Sequence, residues 1–377
     1  MSNGNNPNVY FPSLNGLRFI AAALVFLFHF TTLICVKEFG YNPQTNFISV
    51  LGDVGVTLFF VLSGFLITYL LLTEQARTST INIGKFYIRR ILRIWPLYFF
   101  VIAIYISYGL LFGQIDAQFF WLKLLLYIFF MPNVAYTLFV AGGLPIQLWS
   151  VGSEEQFYFV YPVVVKYAKQ HLIKFLIIVP ILFIGFRIVL EHRLGTQAPV
   201  MFKGINIFLF LLDMVNMFRI DCMAIGGVFA WLLFKQHQLL KIVYTKTTQA
   251  ILYATLVVLI AVLYKSPILH HTIYALLFGA IILNLSSNKA TILNFEYPIF
   301  NKLGGISYGI YVFHPLVFTI INEHFKLRGT AITLITCFVI SFVITLIISQ
   351  LSYTYLETPF LKFKHKFSII TSGNNAK

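Results

Sequence analysis

The chain has 377 residues, 59% of them hydrophobic and 10% charged, with a mean hydropathy of +0.84, whereas soluble domains run near 25% charged. That balance excludes an ordinary cytosolic enzyme, a disordered protein and a disulfide scaffold, and points to one polytopic membrane bundle. The formal charge of +15 sits in short segments between apolar runs, which is the pattern of membrane orientation and not of a nucleic-acid-binding face.

In chain order, apolar runs long enough to cross a bilayer are predicted at 19–36, 54–72, 94–112, 148–165, 172–190, 216–234, 247–264, 267–285, 304–322 and 330–350. The expectation is an all-α membrane protein of about ten transmembrane helices. The first run has no basic region before it and is too long for a signal-peptide core, so it reads as a retained span. The run at 119–131 is too short to cross and ends at Pro132, which makes it an interfacial or re-entrant helix. With ten spans and the N-terminus inside, 18 of the 27 Lys and Arg fall on the inner side. Counting the short run as a crossing would reverse that bias in mid-chain. Both termini are therefore expected in the cytoplasm, with the loop from Thr73 to Arg93 inside and the stretch from Gln114 to Ile146 outside. The chain reads as a single domain over 1–377, with a core at 10–360 and a basic, solvated inner tail at 361–377. Cys35, Cys222 and Cys337 lie within apolar runs with no Cys-x-x-Cys spacing, so neither a zinc site nor a disulfide framework is expected.

The residues able to carry chemistry follow the same order. Arg18 and His29 stand eleven positions apart, which on a helix is about 20° past three full turns and about 16.5 Å of rise, so both face one side. His29 then lies near mid-membrane, where an ionisable group is costly and usually functional, although a His bonded to a neighbouring helix and a snorkelling Arg would give the same pattern. An imidazole in a protein-lined cavity suits general-base work on a hydroxyl, and the guanidinium below it suits a phosphate. Asp53 and Gly55 precede Ser63-Gly64, a small pair that permits close helix approach. Arg89, Arg90 and Arg93 form a forked basic surface able to take more than one phosphate, or one that binds lipid headgroups. Glu154 and Glu155 enter the fourth run with Ser150 or Ser153 as a possible cap; adjacent positions diverge by about 100°, so only one of the two acids is expected to face a cavity. Arg219 and Asp221 read as a mutual ion pair. Ser307, Tyr308 and, near mid-depth, His314 occupy the ninth run.

Together these segments resemble the acyltransferase 3 family of integral-membrane O-acyltransferases, the O-antigen acetylase type. Asn15-Gly16-Leu17-Arg18 with His29, the run Gly55 to Phe65, Arg89-Arg90-x-x-Arg93-Ile94-x-Pro96, Trp149-Ser150 through Tyr158, Ser307-Tyr308-Gly309 with His314-Pro315, and Tyr355 to Phe360 look like that family's motifs in order. The resemblance implies transfer of an acyl group, commonly acetyl from acetyl-CoA, to hydroxyls of sugars in surface polysaccharides, with Arg18, His29 and the arginine loop carrying activity. Thr57 departs from it, since relatives often carry Asp there, and no appended hydrolase-like domain is expected.

The resulting expectation is an inner-membrane O-acyltransferase with acyl-CoA, a glycan acceptor and the lipid bilayer as partners, and neither metal nor nucleic acid. Arg18, Arg89, Arg90 and Arg93 would hold the donor phosphates, and His29 would act as base or take the acyl group covalently. Glu154 or Glu155 would orient His29 or the acceptor, with Tyr308 or His314 donating to the oxyanion and Ser63 and Ser150 in support. The rival is an exporter of a glycan or organic acid, which would also use intramembrane ionisable groups but gives no account of the arginine cluster.

Overall fold

The computed structural model describes residues 8–35, 48–113, 115, 118–139, 143–196, 200–202, 205–324, 330–368 and 370–372. Gln114 and Asp116 of the expected outer stretch, and the end of the tail, lie outside them. The helices are α1 (Leu14–Phe30), α2 (Ile48–Thr78), α3 (Ile83–Leu111), α4 (Phe120–Ile128), α5 (Pro132–Phe139), α6 (Leu148–Ala168), α7 (Leu172–Thr196) and α8 (Ile207–Phe218). They continue as α9 (Ile220–Phe234), α10 (Leu239–Val243), α11 (Lys246–Ala261), α12 (His270–Ser287), α13 (Pro298–Gly305), α14 (Ser307–His324), α15 (Ala331–Ser352) and α16 (Thr358–Lys364). A π-helical turn, Thr31–Cys35, extends α1. Two short ribbons complete the chain: β1 (Asn8–Val9) pairs in parallel with β4 (Thr371–Ser372), and β2 (Met201–Phe202) pairs antiparallel with β3 (Ile205–Asn206).

The protein is thus an all-α membrane bundle. Among the described residues, six helical stretches are long and apolar enough to cross, or seven when the pair Pro298–Gly305 and Ser307–Glu323, bent by 63°, counts as one span. The sequence led us to expect ten. The difference has two physical sources. Leu148–Thr196 is a single stretch of 49 residues that at 1.5 Å per residue would reach about 74 Å, more than twice the hydrocarbon thickness. Its break at Lys169, where φ is 44°, separates two segments that the sequence reads as two spans. The runs at 247–264 and 267–285 fall on α11, a shorter apolar helix of 16 residues, and on α12. The run at 119–131 forms the nine-residue α4, too short to cross.

The core sits around α2, the longest and most buried helix, which lies between α1 and α9. Gly64 makes the second contact possible: a Cβ there would run into the backbone of Met223, and one at Gly226 into the carbonyl of Val61. The Ser63-Gly64 pair does what small residues do between membrane helices, which is to let backbones approach. Polar ties fix the outer helices to this centre. Arg187 of α7 and Asp221 of α9 are fully buried and paired at 2.8 Å, and Arg187 Nε donates to Asn216. Arg219, at the break between α8 and α9, pairs with Asp53 at 2.6 Å and donates to Thr57 Oγ1.

The expected mutual pair of Arg219 and Asp221 therefore does not form. Positions two apart on a helix point about 200° from each other, and Arg219 itself takes a left-handed backbone, φ 42°, so each side chain finds its partner on a different helix.

Candidate active site

Arg18, one turn into α1, donates to Asn15 Oδ1 at 2.8 Å and shares a cavity wall with the first turns of α3 and α14. There it meets Arg90 and Arg93, which α3 presents within its first three turns after Asn82 caps the helix by accepting from Lys85 N. With Ser63, Glu74, Arg89, Ser150, Glu154, Tyr158, Ser307, Tyr308, Tyr311 and Lys364 they line a cavity of about 210 Å³. Cations exceed carboxylates in its wall.

The arginines are held in distinct ways. Arg89 is tied down: its guanidinium pairs with Glu74 at 3.1 Å and donates to the Phe367 carbonyl at 3.0 Å, and Glu74 also accepts from Asn82 N. Arg90 lies over the rings of Phe86 and Tyr158, and its buried Nε has no hydrogen-bond partner among the described residues. An aromatic face attracts a guanidinium but leaves its N–H groups in the plane, available to an anion.

The two adjacent acids part company, as their 100° separation requires. Glu154 lines the cavity, whereas Glu155 accepts from Trp95 Nε1 at 3.0 Å and does not line it. Neither orients His29. Ser150 and Ser153 are not caps either: α6 starts after Gln147 with no side-chain cap, Ser150 Oγ bonds Tyr311 OH at 2.6 Å, and Ser153 donates to the Met217 carbonyl. Ser63 Oγ bonds Tyr158 OH. Tyr308 OH donates to the Ile94 carbonyl at 3.3 Å, so its proton is already engaged.

Tyr311, in the cavity wall, also donates its OH proton to the Gln147 carbonyl at 3.0 Å. One turn further along α14 comes His314, with its ring 6.0 Å from that of Tyr311. His314 is fully buried. Its Nδ1 lies 3.0 Å from the Ile310 carbonyl and its Nε2 lies 2.8 Å from His29 Nδ1. A carbonyl only accepts, so His314 Nδ1 carries the proton; the Nε2 of that neutral ring is then an acceptor, and His29 Nδ1 must donate to it. In neutral His29 the lone pair is left on Nε2, and the ring is only half-buried. This corrects one expectation, because His314 has no N–H left to offer an oxyanion.

Arg18 and His29 share a face, as expected, but His29 lines neither this cavity nor the one adjoining it. The pattern of residues on α14 repeats that of α1, with Ser307 and Tyr308 beside Arg18 and His314 beside His29. Sequence reasoning missed Tyr311, Tyr158, Glu74 and Lys364. The stripe Ser307, Tyr311, His314, at positions i, i+4 and i+7, was the signal available for the first. Lys364 and His365 also line the cavity, so this part of the tail is structural wall and not a solvated extension. No group of His, Cys, Asp and Glu able to hold a metal occurs among the described residues.

The family model of acyltransferase 3, described as an acyltransferase domain, matches residues 11–354. The chain is 27% identical over 382 residues to the peptidoglycan O-acetyltransferase OatA of Listeria monocytogenes, covering 94% of this chain and 56% of that protein. It is 26% identical over 379 residues to the O-acetyltransferase OatA of Staphylococcus aureus, covering 94% and 57%. The chain thus spans a little over half the length of these curated relatives. No solved structure matches.

Proposed function

Because the chain belongs to the acyltransferase 3 family, we propose that it transfers an acetyl group from acetyl-CoA to a sugar hydroxyl of a cell-wall or other surface polysaccharide. The observation that carries this reading is the placement of the His29–His314 pair one helical turn from Tyr311, which lines an arginine-rich cavity. Phosphates of the donor would rest on Arg18, Arg90 and Arg93, whose bidentate N–H groups match phosphate geometry. Glu154 sets the limit of that positive region and Glu74 fixes Arg89 at its rim. The arm carrying the thioester runs toward Tyr311.

His29 acts on the acceptor. Its Nε2 takes the hydroxyl proton as the acceptor oxygen attacks the acyl carbonyl carbon, a C–O bond forms and the C–S bond breaks. The proton then passes to the departing thiolate. His314 is a positioning residue that holds His29 in the tautomer with its lone pair on Nε2. We place the end carrying Arg18, residues 74–93 and residues 357–368 at the cytoplasm of the cell's inner membrane, in keeping with the basic bias of that side and with the compartment that contains CoA.

The test is transfer of labelled acetyl from acetyl-CoA by protein purified in nanodiscs. His29→Ala is expected to retain CoA binding and its gel-filtration profile while losing transfer. Transfer at the wild-type rate by that variant would overturn the reading.

A further inference from the structure

The arginine-lined cavity has a neighbour. A second cavity, of about 440 Å³, lies between the start of α1, α13 and the α16 segment, and both cavities are lined by Arg18, Arg93 and Lys364. These three cations therefore form a partition. On one side the first chamber is lined by Tyr311; on the other, the larger chamber carries the aromatic rings of Tyr10 and Tyr353.

Lys364 makes no ion pair among the described residues, yet it sits within electrostatic range of Arg18, Arg89, Arg90 and Arg93. Like charges gathered in a partly enclosed space repel, and an anion between them relieves the repulsion. A CoA thioester has the matching order of parts: a thin arm, then phosphates, then an aromatic base. Lys364 also lies beyond residue 354, where the family match ends. Its position is fixed by the segment's own ties, from Arg89 to the Phe367 carbonyl and from β1 to β4.

Resting on the donor reading above, we propose that the two chambers hold one acyl-CoA, with phosphates bridging Arg18, Arg93 and Lys364 at the partition and the nucleobase in the larger chamber. Lys364 is then a donor-binding residue supplied by the tail. The test uses the full chain in nanodiscs and measures the Kd of CoA and of adenosine 3′,5′-bisphosphate, together with transfer from acetyl-CoA and from acetyl-pantetheine, which lacks the nucleotide. Lys364→Gln is expected to weaken both Kd values by about ten- to a hundredfold, the range for a lost charge-assisted bond, with Lys364→Arg restoring much of it. Lys366→Gln, which removes the same charge from a residue lining neither cavity, leaves both values unchanged. Turnover of acetyl-pantetheine is unaffected by Lys364→Gln. Unchanged CoA affinity in Lys364→Gln overturns the assignment, and so does an equal loss with acetyl-pantetheine, which would make Lys364 a structural support. Failure of the wild-type protein to bind CoA at all would overturn the donor reading itself.

Discussion

In the proposed mechanism, replacing His314 separates the base from the group that orients it. In His314→Leu the side chain at His29 Nε2 is untouched, but His29 Nδ1 loses an acceptor that stands at 2.8 Å. A net hydrogen bond is worth about 1 kcal/mol, and a donor left without a partner costs a further ~1–3 kcal/mol. Nothing then favours the tautomer with its lone pair on Nε2. At about 1.4 kcal/mol per factor of ten, transfer should fall roughly tenfold to a hundredfold. Deleting the base altogether in His29→Ala removes general-base catalysis, worth about 10²–10⁴. His314→Gln sets an amide oxygen near the position of Nε2 and should recover most of the Leu defect. The assay is initial rate of labelled-acetyl transfer across a pH series, with CoA affinity measured in parallel. Equal rates for the Leu and Gln variants, or a wild-type rate for Leu, would refute the tautomer argument.

Arg90→Ala should raise the Kd for CoA by about tenfold or more, with Lys a partial rescue because it lacks the planar fork; unchanged isothermal-titration affinity would leave Arg90 as an orientation signal only. Arg187→Ala leaves Asp221 charged, buried and unpaired, and should lower stability by about 3–5 kcal/mol, seen as an early thermal transition in detergent with normal activity per folded molecule. Single cysteines at Thr78 and Gly143, in a background without Cys35, Cys222 and Cys337, should react with an impermeant thiol reagent on intact cells at 143 and not at 78. The opposite labelling would remove the proposed donor site from the compartment that contains CoA.

Much of the site was legible because its chemistry is local. Arg89, Arg90 and Arg93 lie within two turns of one helix, and the eleven-residue spacing of Arg18 and His29 fixes their common face whatever packs against it. The divergence of Glu154 and Glu155 likewise follows from the helix repeat. What escaped were contacts between distant segments. His29 meets His314 across 285 positions, and neither residue's neighbours announce the other. The pairs Arg219–Asp53 and Arg187–Asp221 were hidden because the break at Arg219 carries no Gly or Pro to mark it. The tail misled for a related reason. Lysines after a last span read as solvated, whereas the Arg89–Phe367 contact and the β1–β4 pairing turn Lys364 back into the bundle.

These distant contacts also bear on how two water-soluble substrates could meet in a bilayer without a leak between the compartments. Tyr311 OH is bonded to Ser150 Oγ and donates to the Gln147 carbonyl, which fixes its phenol in the wall of the arginine cavity. Both hydroxyl protons are engaged, that of Ser150 on Tyr311 and that of Tyr311 on the Gln147 carbonyl, so neither is free to donate to a water file. Phe59 packs edge-on to Tyr311 at 5.7 Å and adds an apolar wall. The His314 ring lies 6.0 Å from that of Tyr311, so on the proposed reading an acyl group held in the cavity would meet the base past Tyr311. On that reading separation of the donor and acceptor routes would be a property of α14, whose residues 307 and 311 line the cavity and whose residue 314 meets His29 on successive turns of one face.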